Sequence, residues 1–140
     1  MAAIWNWMLG GKRSSNQQFS LALFAGLFLG FLPTFLTLQS IFIVLGLFFF
    51  RVPWRPLITF VGLGWFLGAF LLDPLFHMVG EAILTISSLQ GLFEVMNQMP
   101  IVPFTQFNNT VVMGAMLVAS ACYPAIVFIV AKIRNTEKPA

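Results

Sequence analysis

Charge is the scarcest feature of this 140-residue chain. It holds seven Lys or Arg and four Asp or Glu, 8% of the residues, where a soluble domain carries about 25%. So few charges cannot coat a water-facing surface. A soluble globular enzyme, a disordered tail and a nucleic-acid binder are excluded on that ground. There is one cysteine, Cys122, so an internal disulfide and a cysteine-based metal cluster are excluded as well. It lies in an apolar run, where a lone cysteine acts as a small hydrophobe. There is one histidine, His77, and few carboxylates are spare, which is too little for a metal site. No Gly-rich phosphate loop, HExxH or GxSxG occurs. Gly62-Leu63-Gly64 lacks the rest of a dinucleotide fingerprint. The chain is therefore read as non-enzymatic, with no cofactor and no metal. What abounds is apolar surface, 59% hydrophobic with 17 Phe. The remaining class is an all-α integral membrane protein, built as a single membrane domain.

The apolar runs set the segments. Residues 19–50 carry no charge. As one helix they would measure about 48 Å against a hydrocarbon core of about 30 Å, too long for one pass. Pro33, followed by Thr34, divides the run into 19–32 and 35–50. Residues 57–72 form a second block, ending at Asp73-Pro74. Asp is a good N-cap and Pro suits the first helical position, so one helix is expected to end there and another to start. Residues 111–131 are long enough to span outright, with Asn109 and Thr110 as N-cap candidates and a kink expected at Pro124. A signal peptide is not expected, because the first run is far too long and no small-residue cleavage site follows it.

The positive charges set the topology. Lys12 and Arg13 precede the first run, Arg51 and Arg55 follow it, and Lys132, Arg134 and Lys138 follow the last helix. Asp73, Glu81 and Glu94 lie in the stretch without a basic residue. Basic flanks favour the cytoplasmic side. The simplest arrangement makes 19–50 a re-entrant or short helical hairpin, its tip at Pro33 covered by another segment or subunit. Residues 57–72 then cross outward and 111–131 cross back. Residues 1–18 become a cytoplasmic interfacial N-terminus with Trp5 and Trp7 at headgroup level, 19–131 the membrane core, and 132–140 a cytoplasmic tail. The location implied is a bacterial inner membrane, multi-pass, with both termini cytoplasmic.

Residues 74–98 are amphipathic. Leu75, Val79, Ala82, Ile86, Leu89, Phe93 and Met96 recur at helical spacing and predict one apolar face. Such a stretch lies in the interface rather than across it. Ser87 with Gln90 resembles a capping box, so one helix or two, broken near Ser87, both stay open. Residues 99–110, with Pro100 and Pro103, read as a loop.

Two groups of residues stand out. Gly26 and Gly30, Gly64 and Gly68, and Ala115 and Ala119 place small side chains four apart, which lets helix backbones approach closely in lipid. With Pro33 they are the expected packing positions, either within one subunit or against a partner. Asp73, His77 and Glu81 share one helix face at i, i+4 and i+8. That spacing suits a metal or a proton relay, and equally a capping Asp with interfacial polar neighbours. Asn108-Asn109-Thr110 matches a glycosylation sequon but is read as a cap or hydrogen-bonding cluster at a helix entrance. Asp73, His77, Asn108 and Asn109 are thus the polar membrane-boundary set.

The stretches GLFLGFLPTF at 26–35, LDPLFH at 72–77 and FNNTVVMG at 107–114 resemble a family of small uncharacterised bacterial inner-membrane proteins. It is similar to a broader domain of unknown function with a G-x-x-x-G-x-x-P hairpin, here Gly26, Gly30 and Pro33. The resemblance covers roughly residues 19–131. It implies no activity, but it implies a larger envelope protein as partner, because members are often encoded beside one. Many members carry a basic residue where this chain has Gln106.

The expected function is a non-enzymatic membrane subunit that anchors or receives that partner, with lipid transport as the process served. The alternative is a small homo-oligomeric transporter or channel with Asp73 and His77 near a membrane boundary. A lipid-modifying enzyme using Asp73 and His77 is the third reading. Membrane lipids are partners in every case.

Overall fold

A computed structural model describes residues 14–33 and 36–136. The expected anchor with Trp5 and Trp7, the basic pair Lys12 and Arg13, and Lys138 lie outside the described residues. Those described form helices and turns: α1 (Asn16–Phe31), α2 (Leu38–Phe50), α3 (Trp54–Leu67), a π turn (Gly68–Leu72), α4 (Asp73–Leu84), α5 (Ser87–Gln98), a 3-10 turn (Val102–Thr105) and α6 (Thr110–Thr136). Two helices are long and apolar enough to cross a membrane. One is Trp54–Leu84, 31 residues that join α3, the π turn and α4; the other is α6, with 27.

From Phe19 onward α1 is almost wholly apolar, and every residue there is buried or half-buried, as such a helix should be. Its start is fixed by a capping box. Ser15 Oγ accepts from the Gln18 amide at 3.2 Å, and Gln18 Oε1 accepts from the Ser15 amide at 3.0 Å. Its end is fixed by Pro33, which forces Leu32 into an extended conformation. α2 starts at Thr37 and stops at Arg51, whose backbone is left-handed with φ 48°. Gln18 Nε2 donates to the Phe50 carbonyl at 3.3 Å. The chain therefore leaves one end of the molecule on α1 and returns to it on α2.

α3 runs parallel to α1. Gly26 faces Leu57 and Phe60, Gly30 faces Val61, Gly64 and Trp65, and Gly68 faces Phe31. α6 runs antiparallel on the other side of α1. Phe19 and Leu23 pack with Ile126 and Val130, while Phe28, Phe31 and Leu32 pack with Val112, Ala115 and Ala119. Arg51, Arg55, Lys132 and Arg134 accordingly sit toward one end, here the basic end, and α4, α5 and residues 99–110 toward the other, the far end.

Two helix boundaries differ from expectation. The helix begun at Trp54 does not stop at Asp73-Pro74; it continues to Leu84. Pro74 has no N–H, and its ring would strike the Phe70 carbonyl in a regular α-helix. The π turn just before it widens the helix and removes that clash. Asp73 has helical dihedrals and makes no capping bond, so it is not an N-cap. The break comes instead at Thr85-Ile86. There the Ser87–Gln90 box is absent: Gln90 Nε2 donates back to the Leu84 carbonyl at 2.7 Å.

The π turn also sets which face of α4 continues the buried stripe of α3, and the expected face that begins at Leu75 is not the buried one. In an unbroken α-helix the buried positions Gly64 and Gly68 would continue at Leu75 and Val79, seven and eleven residues on. The buried positions are Phe76 and Gly80, while Leu75 is exposed. The turn absorbs one extra residue and moves the buried stripe along by one.

Candidate functional site

The polar boundary residues do not form one site. Asp73, His77 and Glu81 are all exposed on α4, beside the buried stripe of Phe76 and Gly80. Among the described residues no three His, Cys, Asp or Glu side chains come together as a metal site. Asn108 and Asn109 act in the backbone framework. Asn109 Oδ1 accepts from the amides of Val111 at 3.0 Å and Val112 at 3.3 Å, which caps α6. Asn108 Nδ2 donates to Asn97 Oδ1 at 3.2 Å and ties the entrance of α6 to the end of α5.

The small-residue positions lie inside the bundle. Gly30 and Gly64 bring α1 and α3 into backbone contact. Gly26 faces the Leu57 carbonyl, and Gly68 touches the Phe31 backbone and the Phe76 ring. Ala115 and Ala119 are buried beside α1. These close approaches are therefore made within the chain. Pro33 itself is exposed, but the residue before it, Leu32, is fully buried.

The tightest crossing involves glycines that the spacing argument passed over. A Cβ on Gly114 would overlap the Phe76 carbonyl, and one on Gly80 would overlap the Thr110 carbonyl. Of the two pairs, Phe76–Gly80 on α4 lacks a second small residue, and only Thr110–Gly114 on α6 places two small side chains four apart. Phe76 fills the space beside this crossing, its ring 5.0 Å from that of Phe31.

Two polar side chains clamp the ends of the bundle. At the basic end Arg134 donates to the carbonyls of Ser14 at 2.8 Å and Ser15 at 3.3 Å, with its guanidinium 5.2 Å from the centre of the Phe19 ring. At the far end Gln39 Nε2 donates to the Thr105 carbonyl at 2.8 Å and touches Met116 Sδ at 3.3 Å. Beside it the buried hydroxyls of Thr37 and Ser40 share a hydrogen bond of 2.7 Å.

Two elements are left open. α2 exposes Ile41, Phe42, Val44, Leu45, Phe48 and Phe49. α5 has no buried residue and exposes Leu92 and Val95, while Leu89, Phe93 and Met96 are half-buried; Phe93 lies 6.0 Å from Phe107 between ring centres. The arrangement joins helices, clamps their ends and presents apolar faces. No family model, no curated protein and no solved structure matches the chain.

Proposed function

We propose that this chain is a non-enzymatic subunit of a bacterial inner membrane that anchors or receives a larger envelope partner and serves lipid transport. On this reading the basic end faces the cytoplasm. The α1–α2 pair is a short membrane hairpin, Trp54–Leu84 and α6 are the long spans, and α5 lies at the opposite interface. The scarcity of charge, the two long apolar helices and the family resemblance support it. The observation that carries it is α5, a whole helix at the far end with none of its residues buried. A helix held by so little of its own chain, with Leu92 and Val95 turned outward, is suited to another protein.

The test is a photo-crosslinking side chain at Leu92 or Val95, activated in native membranes and followed by mass spectrometry. An adduct with one larger envelope protein is the expected result. Adducts with lipid or with a second copy alone would sink the reading. The second case would favour the homo-oligomeric transporter. One feature speaks for that alternative: the π turn leads into α4, where Asp73 and His77 stand exposed outside the bundle, and π turns recur at functional sites.

A further inference from the structure

α2 connects the two polar ends of the molecule with only 13 residues. At the basic end its last carbonyl, Phe50, is held by Gln18, and Arg51 follows it. At the far end its first turn is held by Gln39 to Thr105, in the loop that leads to the exposed Gln106, Asn108 and Asn109. A 13-residue helix is about 20 Å long, and a hydrocarbon core is about 30 Å thick. Tilting the helix only shortens its reach. The other helices that join the two ends are longer, with 16, 31 and 27 residues.

The outer surface of α2 indicates what covers it. Ile41, Phe42, Val44, Leu45, Phe48 and Phe49 are exposed, and no polar side chain lies among residues 41–50. At about 100° per residue these six positions sweep an arc of about 160°. A protein interface has a polar rim around an apolar centre. An apolar arc of this breadth, bounded by polar groups only at its two ends, suits acyl chains.

We propose that α2 faces lipid and thins the bilayer beside it by about 10 Å. The far headgroups are drawn down to the level of Thr37 and Gln39, and the near ones stay at Arg51. A phospholipid headgroup passing the membrane at this place crosses about two-thirds of the ordinary hydrocarbon depth. This gives the proposed part in lipid transport a physical location on the chain, and it rests on the membrane reading above.

Spin-label depth measurement tests it on the full chain in phosphatidylcholine vesicles. Single cysteines replace Leu36, Leu45 and Phe49 on the α2 side, and Leu117 and Phe128 on α6, in a Cys122→Ser background. All five side chains are exposed, so labels fit without repacking. Collisions with oxygen and with a water-soluble nickel complex give the depth of each label. The expected result puts labels at 36 and 49 at headgroup depth, and the label at 45 about 5 Å shallower than the bilayer centre of unperturbed lipid. A label at 36 deep in hydrocarbon, with 49 at the headgroups, would mean the hairpin stops half-way, and the proposal fails. Labels on α2 that are immobile and shielded from both reagents would mean that protein covers it, and the proposal fails. Labels on α6 that meet nickel as freely as in water would overturn the membrane reading itself, a result separate from the other two.

Discussion

Gly114 rests directly on the backbone carbonyl of Phe76, with no room for a side chain between them, and Gly80 stands in the same relation to Thr110. Glycine inside a helix costs about 1 kcal/mol relative to alanine, so these positions need a reason, and the crossing of α4 with α6 supplies it.

Gly114→Ala should therefore destabilise the fold by roughly 1–3 kcal/mol, because the two helix backbones must separate. Gly91→Ala on α5 is the control. An added Cβ there meets nothing within 4 Å, so it should stabilise by up to about 1 kcal/mol. Thermal unfolding of both variants in detergent checks the pair. Equal effects of the same sign would remove the crossing as the explanation.

Along α1 and α3 the cost of alanine should follow the space available. At Gly30 the added Cβ would lie 2.5 Å from the Val61 carbonyl oxygen and 2.7 Å from the Trp65 amide nitrogen. At Gly68 the nearest atom, the Phe31 Cα, is 3.4 Å away, an ordinary contact. Gly30→Ala should thus cost roughly 1–3 kcal/mol and Gly68→Ala close to nothing. The same unfolding measurement on a monomeric preparation distinguishes this from a loss of assembly.

Asp73→Ala reverses sign relative to a capping role. Loss of an N-cap costs about 0.5–2 kcal/mol. Asp73 instead occupies an exposed helical position, where alanine is the better helix former. The variant should be neutral or stabilised by up to about 0.5 kcal/mol. A clear loss of stability would restore the cap.

Arg134→Lys should loosen the start of α1. One guanidinium reaches two carbonyls and lies over a ring, and an ammonium cannot reproduce that fork. Hydrogen exchange at the first amides of α1 should rise severalfold, with little change at the centre of α6. Unchanged exchange would show that the clamp is not needed.

The topology makes its own prediction. Cysteine labelling in intact cells should find residues 12, 53 and 135 on the cytoplasmic side and residues 90–105 on the other. Residue 53 opposite residue 12 would turn 19–50 into a single crossing.

The long apolar stretches and the break at Pro33 were legible because each rests on one local rule: hydrophobic length in the first case, the missing proline N–H in the second. The cap at Asn109 was legible for the same reason. The capping box at Ser15 and Gln18 obeys a local rule too, but Ser87 and Gln90 carry the same letters without forming it, so the pattern alone does not separate the two. What escaped was set by relations between segments. Asp73-Pro74 has the letters of a helix start, yet packing of Phe76 and Gly80 on α6 keeps the helix going. The side-chain ties of Gln39 and Arg134 join residues 66 and 119–120 positions apart, a separation that periodicity cannot report. Asp73, His77 and Glu81 share a face as their spacing requires, but among the described residues no three His, Cys, Asp or Glu side chains gather as a metal site.

The one-residue offset at the π turn has a genetic corollary. A chain shorter by one residue within 68–72, with Pro74 replaced by Ala, would form an ordinary α-helix and still present Gly64, Gly68 and the former Phe76 and Gly80 on one stripe. A length difference of a single codon would then leave every helix partner in place. Sequences compared across this point need a gap there, even where the folds agree throughout.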